Sequence, residues 1–211
     1  SLKMSDRFYM LLKRAAAVVC CRSNPRTKAK VVSLVRDRDA RDITLAIGDG
    51  GNDVNMIQRA HIGVGLVGRE GTQAARSSDY ALRQFSHLKK LIAVHGRWNY
   101  LRNSTIVQYW VYKNTAFIFV LFWYGIYCAW SGLNYYDSWV ITLFNVFFTA
   151  LPPLFFAFAE QDVSPEVAFR YPQLYREPQS GRNFTPITFS IWIVEALYVS
   201  VICYFFSYAV F

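Results

Sequence analysis

Ile43-Thr44-Leu45-Ala46-Ile47-Gly48-Asp49-Gly50-Gly51-Asn52-Asp53 is the stretch whose reading decides the fold. Ile43 to Ile47 is a short apolar run rich in strand formers, too short for a helix and closed by glycine. Two carboxylates, Asp49 and Asp53, and the amide of Asn52 then crowd into five residues, with Gly50 and Gly51 between them. Asp49 falls where a buried parallel strand ends, the carboxyl edge at which open α/β sheets bind ligands. Closely spaced carboxylates on a pliable backbone suit Mg²⁺, which keeps waters and takes one or two carboxylates plus phosphate oxygens. An isolated Gly-Asp-Gly can equally be a turn that caps the next helix. The second Asp and the Asn favour a phosphate–metal site.

Elements of both periods flank this stretch. Residues 4–14 carry a mixed apolar and basic helical pattern, and Ala16 to Cys21 is an apolar run of strand length. Ser23 or Asn24 can cap a helix that has Pro25 in its first turn, and Val31, Val32, Leu34 and Val35 form its apolar stripe up to about Arg36. Downstream, the pattern predicts a helix from Val54 to Ala60 and a strand from Ile62 to Val67. A short helix near Gly71 to Arg76 and a strand at Tyr80 to Leu82 complete the series. Alternating strands and helices imply a parallel sheet. Cys20, Cys21, Cys128 and Cys203 lack zinc spacing, and Cys20 and Cys21 are expected to be buried, reduced thiols of a cytosolic domain.

Composition changes along the chain. Of 211 residues 54% are hydrophobic and 18% aromatic, and the net charge is +9. Residues 1–105 hold 19 Lys and Arg against 8 Asp and Glu, whereas residues 106–211 hold 4 against 6. A basic half joined to an apolar half reads as a cytosolic domain feeding into a membrane. Nucleic-acid binding, the other use of basic charge, leaves the apolar half unexplained. Residues 88–105 read as a basic linker helix, followed by spans at about 106–130, 139–159 and 187–211, each of about the length that crosses a bilayer. Arg170, Arg176 and Arg182 keep the loop 160–186 on the cytosolic side and put the turn 131–138 outside. Tyr124, Tyr127, Trp130, Tyr135, Tyr136 and Trp139 surround that turn as an interfacial belt.

Lys113 lies about two turns inside the first span, where a charge costs roughly 2.5–3.5 kcal/mol on insertion scales. Such a residue faces a polar pathway or snorkels to the interface. Asn114 and Asn145 could add polar contacts, and Pro152-Pro153 interrupts the second span. Glu195, in the third, has no assigned role.

GDGGNDVNMI resembles the GDGxND signature of P-type ATPases. Cys20-Cys21-Arg22, Lys28, HGRWNY at 95–100, Tyr112-Lys113-Asn114, FTALPPL at 148–154 and RYPQLY at 170–175 narrow the resemblance to the type IV branch, the phospholipid flippases. The resemblance implies that residues 1–87 are the C-terminal part of a cytosolic phosphorylation domain with a haloacid-dehalogenase-like α/β fold, and that residues 106–211 are transmembrane helices. It implies ATP and Mg²⁺ as cofactors, with Asp49 and Asp53 on the metal and Asn52 and Lys28 at the phosphoryl group. Arg22 would lie near the nucleotide. From spacing alone, Lys28 and Arg22 read as surface charge. Gly51 stands where flippases usually have Ala. Lys113, Asn114 and Asn145 match a lipid head-group route.

No DKTGT motif is present, so the phosphorylated aspartate is expected outside these residues, with this segment inactive by itself. The implied activity is ATP-driven movement of phospholipid toward the cytosolic leaflet of the plasma membrane or an endomembrane. A glycosylated two-span accessory subunit is a possible partner by analogy. A cation-transporting P-type ATPase is the alternative, but it would want several carboxylates in the spans, and between Ile106 and Ala159 only Asp137 appears, in the outer turn. A non-catalytic membrane segment or binding module is the other.

Overall fold

A computed structural model describes residues 2–39, 42–68 and 72–210. They form two compact units, Ser1–Leu88 and Lys89–Phe211.

The first unit opens with α1 (Leu2–Arg14) and α2 (Pro25–Arg36). Asn24 caps α2, its side-chain oxygen accepting from the Thr27 amide at 2.8 Å, with Pro25 in the first turn as the sequence predicts. Strands β1 (Leu45–Gly48), β2 (Ile62–Leu66) and β3 (Tyr80–Leu82) make a parallel sheet in the order β1-β2-β3, linked by α3 (Val54–Arg59) and α4 (Gln73–Arg76). This is the predicted alternation, with β1 starting two residues later than its apolar run. The predicted start of α4 at Gly71 lies outside the described residues. The interior is small: Ala46, Ile57, Ala60, Val64 and Ala74 are buried. Arg36 ties α2 to the end of α3, donating to the Arg59 carbonyl at 2.9 Å. The sheet is edged at Asp79, whose carboxylate accepts from the Gly63 amide at 2.8 Å.

Ala16 to Cys21 is not a strand. It is irregular and exposed. A strand needs a ladder partner to be stable, and among the described residues none pairs with this run. Cys20 and Cys21 are therefore exposed thiols, contrary to the expectation of burial.

The short α5 (His87–Lys90) falls at the boundary of the units, and the second continues through a π-helical turn (Leu91–Gly96) into the 31-residue α6 (Arg97–Tyr127). After the turn 128–137 comes α7 (Ser138–Leu143), then a second π-helical turn (Phe144–Phe148) and α8 (Leu151–Ala159). Pro152 and Pro153 occupy the first turn of α8, where no intrahelical donor is needed. The break in this span lies just before them, at Thr149 and Ala150. Two short helices, α9 (Pro165–Arg170) and α10 (Arg176–Ser180), fold the next loop, and α11 (Pro186–Val210) closes the chain.

By length and apolarity, Ser138–Ala159 and Pro186–Val210 are each able to cross a membrane, both with a mean hydropathy of 1.9. Only 11% and 17% of their most apolar stretches are buried within the protein, so these apolar faces look outward. α6 is long enough, at roughly 46 Å, but Gln108, Lys113 and Asn114 keep it below the hydropathy of the other two.

Side-chain pairing sets the directions. Phe117 stacks on Phe144, Lys113 meets Thr149 and Arg102 reaches the Glu160 carbonyl, so α6 and the 138–159 segment are antiparallel. Gln108 meets Thr188, Tyr112 meets Trp192, and Tyr127 meets Tyr204 and Tyr208, so α6 and α11 are parallel. The turn 128–137 and the loop 160–185 therefore lie at opposite ends of the helices, as the charge distribution predicts. Tyr124, Tyr127, Tyr135 and Tyr136 gather at the turn.

Candidate functional site

In the first unit, the residues at the carboxyl edge of β1 come from the strand end and from the helix opening at Pro25. Gly48 ends β1, and the chain turns through Asp49 and Gly50 into a 3-10 turn at Gly51–Asp53. A Cβ on Gly48 would sit 2.3 Å from the Cβ of Asp53, so only glycine lets Asp53 fold back against the strand end. There Asp53 Oδ1 accepts from Lys28 Nζ at 2.7 Å. The Asp53 side chain is 13% exposed and that of Lys28 33%. The resemblance placed these two residues in one site, and the fold brings them into contact across 25 positions of sequence. Asp49 and Asn52 are exposed on the same turn, and the Asp49 carboxylate makes no ion pair among the described residues. Gln73 reaches over the turn: a Cβ on Gly51 would meet its Oε1 at 2.2 Å. Sequence reading missed Gln73, a polar residue with no motif around it. Arg22, exposed and in left-handed backbone at φ 50°, is not brought to this cluster by any described contact.

The donor set fits a hard cation of the Mg²⁺ type that shares its ligands with phosphate. One carboxylate, Asp49, is open, and Asp53 has one oxygen on Lys28 and a second to offer. Among the described residues no group of three His, Cys, Asp or Glu could hold a metal alone. Mg²⁺ does not ask for one, since it completes its shell with waters and substrate oxygens.

In the second unit, Lys113 is buried in the middle of α6. Its ammonium donates to Thr149 Oγ1 at 2.8 Å and to Asn145 Oδ1 at 3.4 Å, and it lies 5.6 Å from the centre of the Trp110 ring. No carboxylate pairs with it among the described residues. Asn145 thus contacts Lys113. Asn114 does not: it is exposed and makes no described hydrogen bond, because adjacent residues on a helix point about 100° apart. Thr149, which sequence reading passed over, is the nearer partner.

A second polar cluster sits where the loop after Ala159 folds over the start of α6. Arg97 is buried and donates from Nε to Asp162 at 2.7 Å, from one terminal nitrogen to Glu177 at 2.8 Å and from the other to the Leu174 carbonyl. Burial pushes the guanidinium pKa down, but the Asp162 and Glu177 carboxylates outweigh it and hold it above its ordinary value. Trp98 Nε1 donates to the Val163 carbonyl at 3.0 Å, and Trp98 packs with Val94 and Ala168. Arg97 and Trp98 belong to the HGRWNY run, but their partners lie 65 to 80 residues away.

Comparison with known proteins separates the possible meanings of these sites. Residues 75–211 match the family of the phospholipid-translocating P-type ATPase C-terminal region. Phospholipid-transporting ATPase VB of Homo sapiens is 46% identical over 206 residues, 98% of this chain and 14% of that protein. Phospholipid-transporting ATPase VD of Mus musculus is 45% identical over 205 residues, 97% of this chain and 14% of that protein. Phospholipid-transporting ATPase ID of Homo sapiens is 47% identical over 195 residues, 92% of this chain and 16% of that protein. The chain therefore spans about one seventh of the length of the curated relatives it matches. A match over residues 75–211, including the Arg97 and Lys113 clusters and both apolar helices, places the chain in the family of phospholipid-translocating P-type ATPases.

Proposed function

We propose that this chain is the part of an ATP-driven phospholipid translocase that joins the end of the phosphorylation domain to the first spans after it. The observation that carries this reading is the buried Lys113 ammonium, held in a span by two neutral acceptors and no carboxylate. It agrees with the names of the relatives, which are phospholipid-transporting ATPases. Residues 1–87 are then the C-terminal part of a haloacid-dehalogenase-like phosphorylation domain in the cytosol, with 88–105 the linker. α6 is the first of three spans, its low hydropathy reflecting a polar face that serves the lipid.

In this reading Asp49 and Asp53 hold Mg²⁺, which when bound neutralises charge on the transferred phosphoryl group of ATP. Lys28, held by Asp53, presents a positive charge beside that group, and Asn52 orients a phosphate oxygen. Arg22 serves the nucleotide from the segment before α2. The aspartate that accepts the phosphoryl group is supplied by the longer protein. In the spans, Lys113 attracts the lipid phosphate with its remaining N–H, and Asn145 adds a polar contact beside it. Asn114 lies beside the route on α6. Lipid moves toward the cytosolic leaflet as the phosphoenzyme is hydrolysed.

The test is lipid-stimulated ATP hydrolysis by the full-length protein. Lys113→Ala is expected to raise the phospholipid concentration needed for half-maximal stimulation, and Lys113→Arg to recover it in part, because the guanidinium keeps the charge but is larger and planar. An unchanged lipid dependence in the alanine variant would reduce Lys113 to an interfacial anchor.

A further inference from the structure

Thr149 stands at the junction of three features that the lipid-path reading does not connect. It is 7% exposed and caps the π-helical turn Phe144–Phe148, two residues before the helix that begins at Leu151 with Pro152 and Pro153. Its amide donates to the Phe144 carbonyl at 3.0 Å, closing the wide turn. Its hydroxyl donates to the same carbonyl at 2.6 Å and accepts from Lys113 Nζ at 2.8 Å.

A hydroxyl has one proton to give and two lone pairs with which to accept. Here the Phe144 carbonyl takes the proton, so the oxygen faces the ammonium as an acceptor only. That orientation is set by the break in the helix. In an unbroken α-helix the Phe144 carbonyl would be occupied by the amide four residues on. The π-helical turn passes it instead to residue 149, where both the amide and the hydroxyl reach it.

We propose that Thr149 is a positioning residue for Lys113, coupling the direction of the ammonium to the π-helical break in the second span. The inference rests on the reading of Lys113 as part of the lipid path. Lys113 has three N–H donors. Thr149 takes one at short range, Asn145 takes a second at 3.4 Å, and the third is left for a phosphate oxygen. Without the Thr149 hydroxyl, the ammonium keeps one distant acceptor and its direction relaxes. The Phe144 carbonyl keeps its bond from the Thr149 amide, so the turn itself survives.

The experiment uses the full-length protein in detergent micelles, with phosphatidylcholine, phosphatidylserine and phosphatidylethanolamine titrated separately. ATP hydrolysis is followed for each, and the most stimulating lipid is carried through the variants. Thr149→Val keeps the shape and removes the hydroxyl. It is expected to raise the half-saturating lipid concentration roughly tenfold, the order set by one hydrogen bond to a charged group. The maximal rate should change by less. Thr149→Ser, which restores the acceptor, is expected to recover most of the shift. In a Lys113→Ala background, Thr149→Val is expected to add nothing.

Equal losses in Thr149→Val and Thr149→Ser, or a Thr149→Val effect that persists undiminished beside Lys113→Ala, would make Thr149 a cap of the turn and overturn the proposal. Lys113→Ala with a shifted lipid dependence and Thr149→Val without one would overturn this inference alone. No shift in Lys113→Ala would remove the lipid-path reading beneath it. Should Thr149→Val fail to reach the membrane, Thr149→Cys carries the same comparison, since sulfur accepts only weakly.

Discussion

Arg97→Met is expected to loosen the loop 160–185 from the start of α6 without unfolding either. The guanidinium satisfies two carboxylates and one carbonyl at once, and its side chain is 7% exposed. Removing one partner of a fully buried ion pair costs about 3–5 kcal/mol. The side chains of Asp162 and Glu177 are 25% and 47% exposed, so water re-solvates both carboxylates and screens part of the loss. Methionine also keeps most of the buried stem. A local cost of about 1–3 kcal/mol remains, which raises the population of an open loop by roughly 5- to 150-fold.

Arg170, Arg176 and Arg182 lie exposed in this loop and make the opening readable with trypsin. Cleavage follows the open population when closing is fast relative to cutting. Nicking between α8 and α11 in the full-length protein is expected to accelerate within that range. Arg97→Lys, which keeps the charge but not the fork, should fall between. Amide exchange across 162–177 checks the same quantity without a protease. Wild-type rates of nicking and exchange in Arg97→Met would refute the reasoning, for the three contacts of the guanidinium would then be holding nothing in place.

Two further outcomes concern the carboxyl edge of β1. Asp49→Asn in the full-length protein is expected to abolish Mg²⁺-dependent ATP turnover while leaving membrane insertion intact, because it removes a ligand charge from an exposed side chain; near-normal hydrolysis would remove Asp49 from the metal site. Gly48→Ala is expected to destabilise the unit by about 1–3 kcal/mol, in the range of overpacking, since its Cβ would strike Asp53 and part it from Lys28. Gly51→Ala, whose Cβ meets only the mobile tip of Gln73, should unfold at nearly the wild-type denaturant midpoint.

The difference between those two glycines marks what the sequence could disclose. A strand closed by Gly-Asp-Gly is legible because period and punctuation are local, and the same holds for the Asn24 cap and Tyr80–Leu82. Which glycine is obligatory depends on where Asp53 folds back, and that is a tertiary fact. Ala16 to Cys21 misleads for the converse reason: its apolar run has strand composition, but composition does not provide a ladder partner. Lys113 stands out because a charge in an apolar stretch is conspicuous. Thr149 does not, for one hydroxyl among phenylalanines reads as filler until the π-helical turn aims it. The acids around Arg97 were hidden by distance in sequence. The arginines of that loop show in the charge count as a topology signal, whereas Asp162 and Glu177 draw no attention until the loop folds.

The composition of the Lys113 cluster also weighs against cation transport. A cation site in a membrane needs several oxygen ligands whose charges or inward-facing dipoles replace the hydration that the ion loses. The oxygens that Lys113 donates to come from a threonine and an asparagine, both neutral, and among the described residues no carboxylate pairs with it. A second cation entering there would meet repulsion in a medium of low dielectric, where a unit charge acts strongly. Two hydrogen bonds to a charged group are worth about 1.5–3 kcal/mol each at good geometry. The longer contact, at 3.4 Å, contributes less. Together they are of the order of the roughly 2.5–3.5 kcal/mol that the ammonium costs on insertion scales. In the proposed span, Lys113 is thus tolerable without being neutralised. An anion is what such a site attracts, and in the proposed reading that anion is a lipid phosphate.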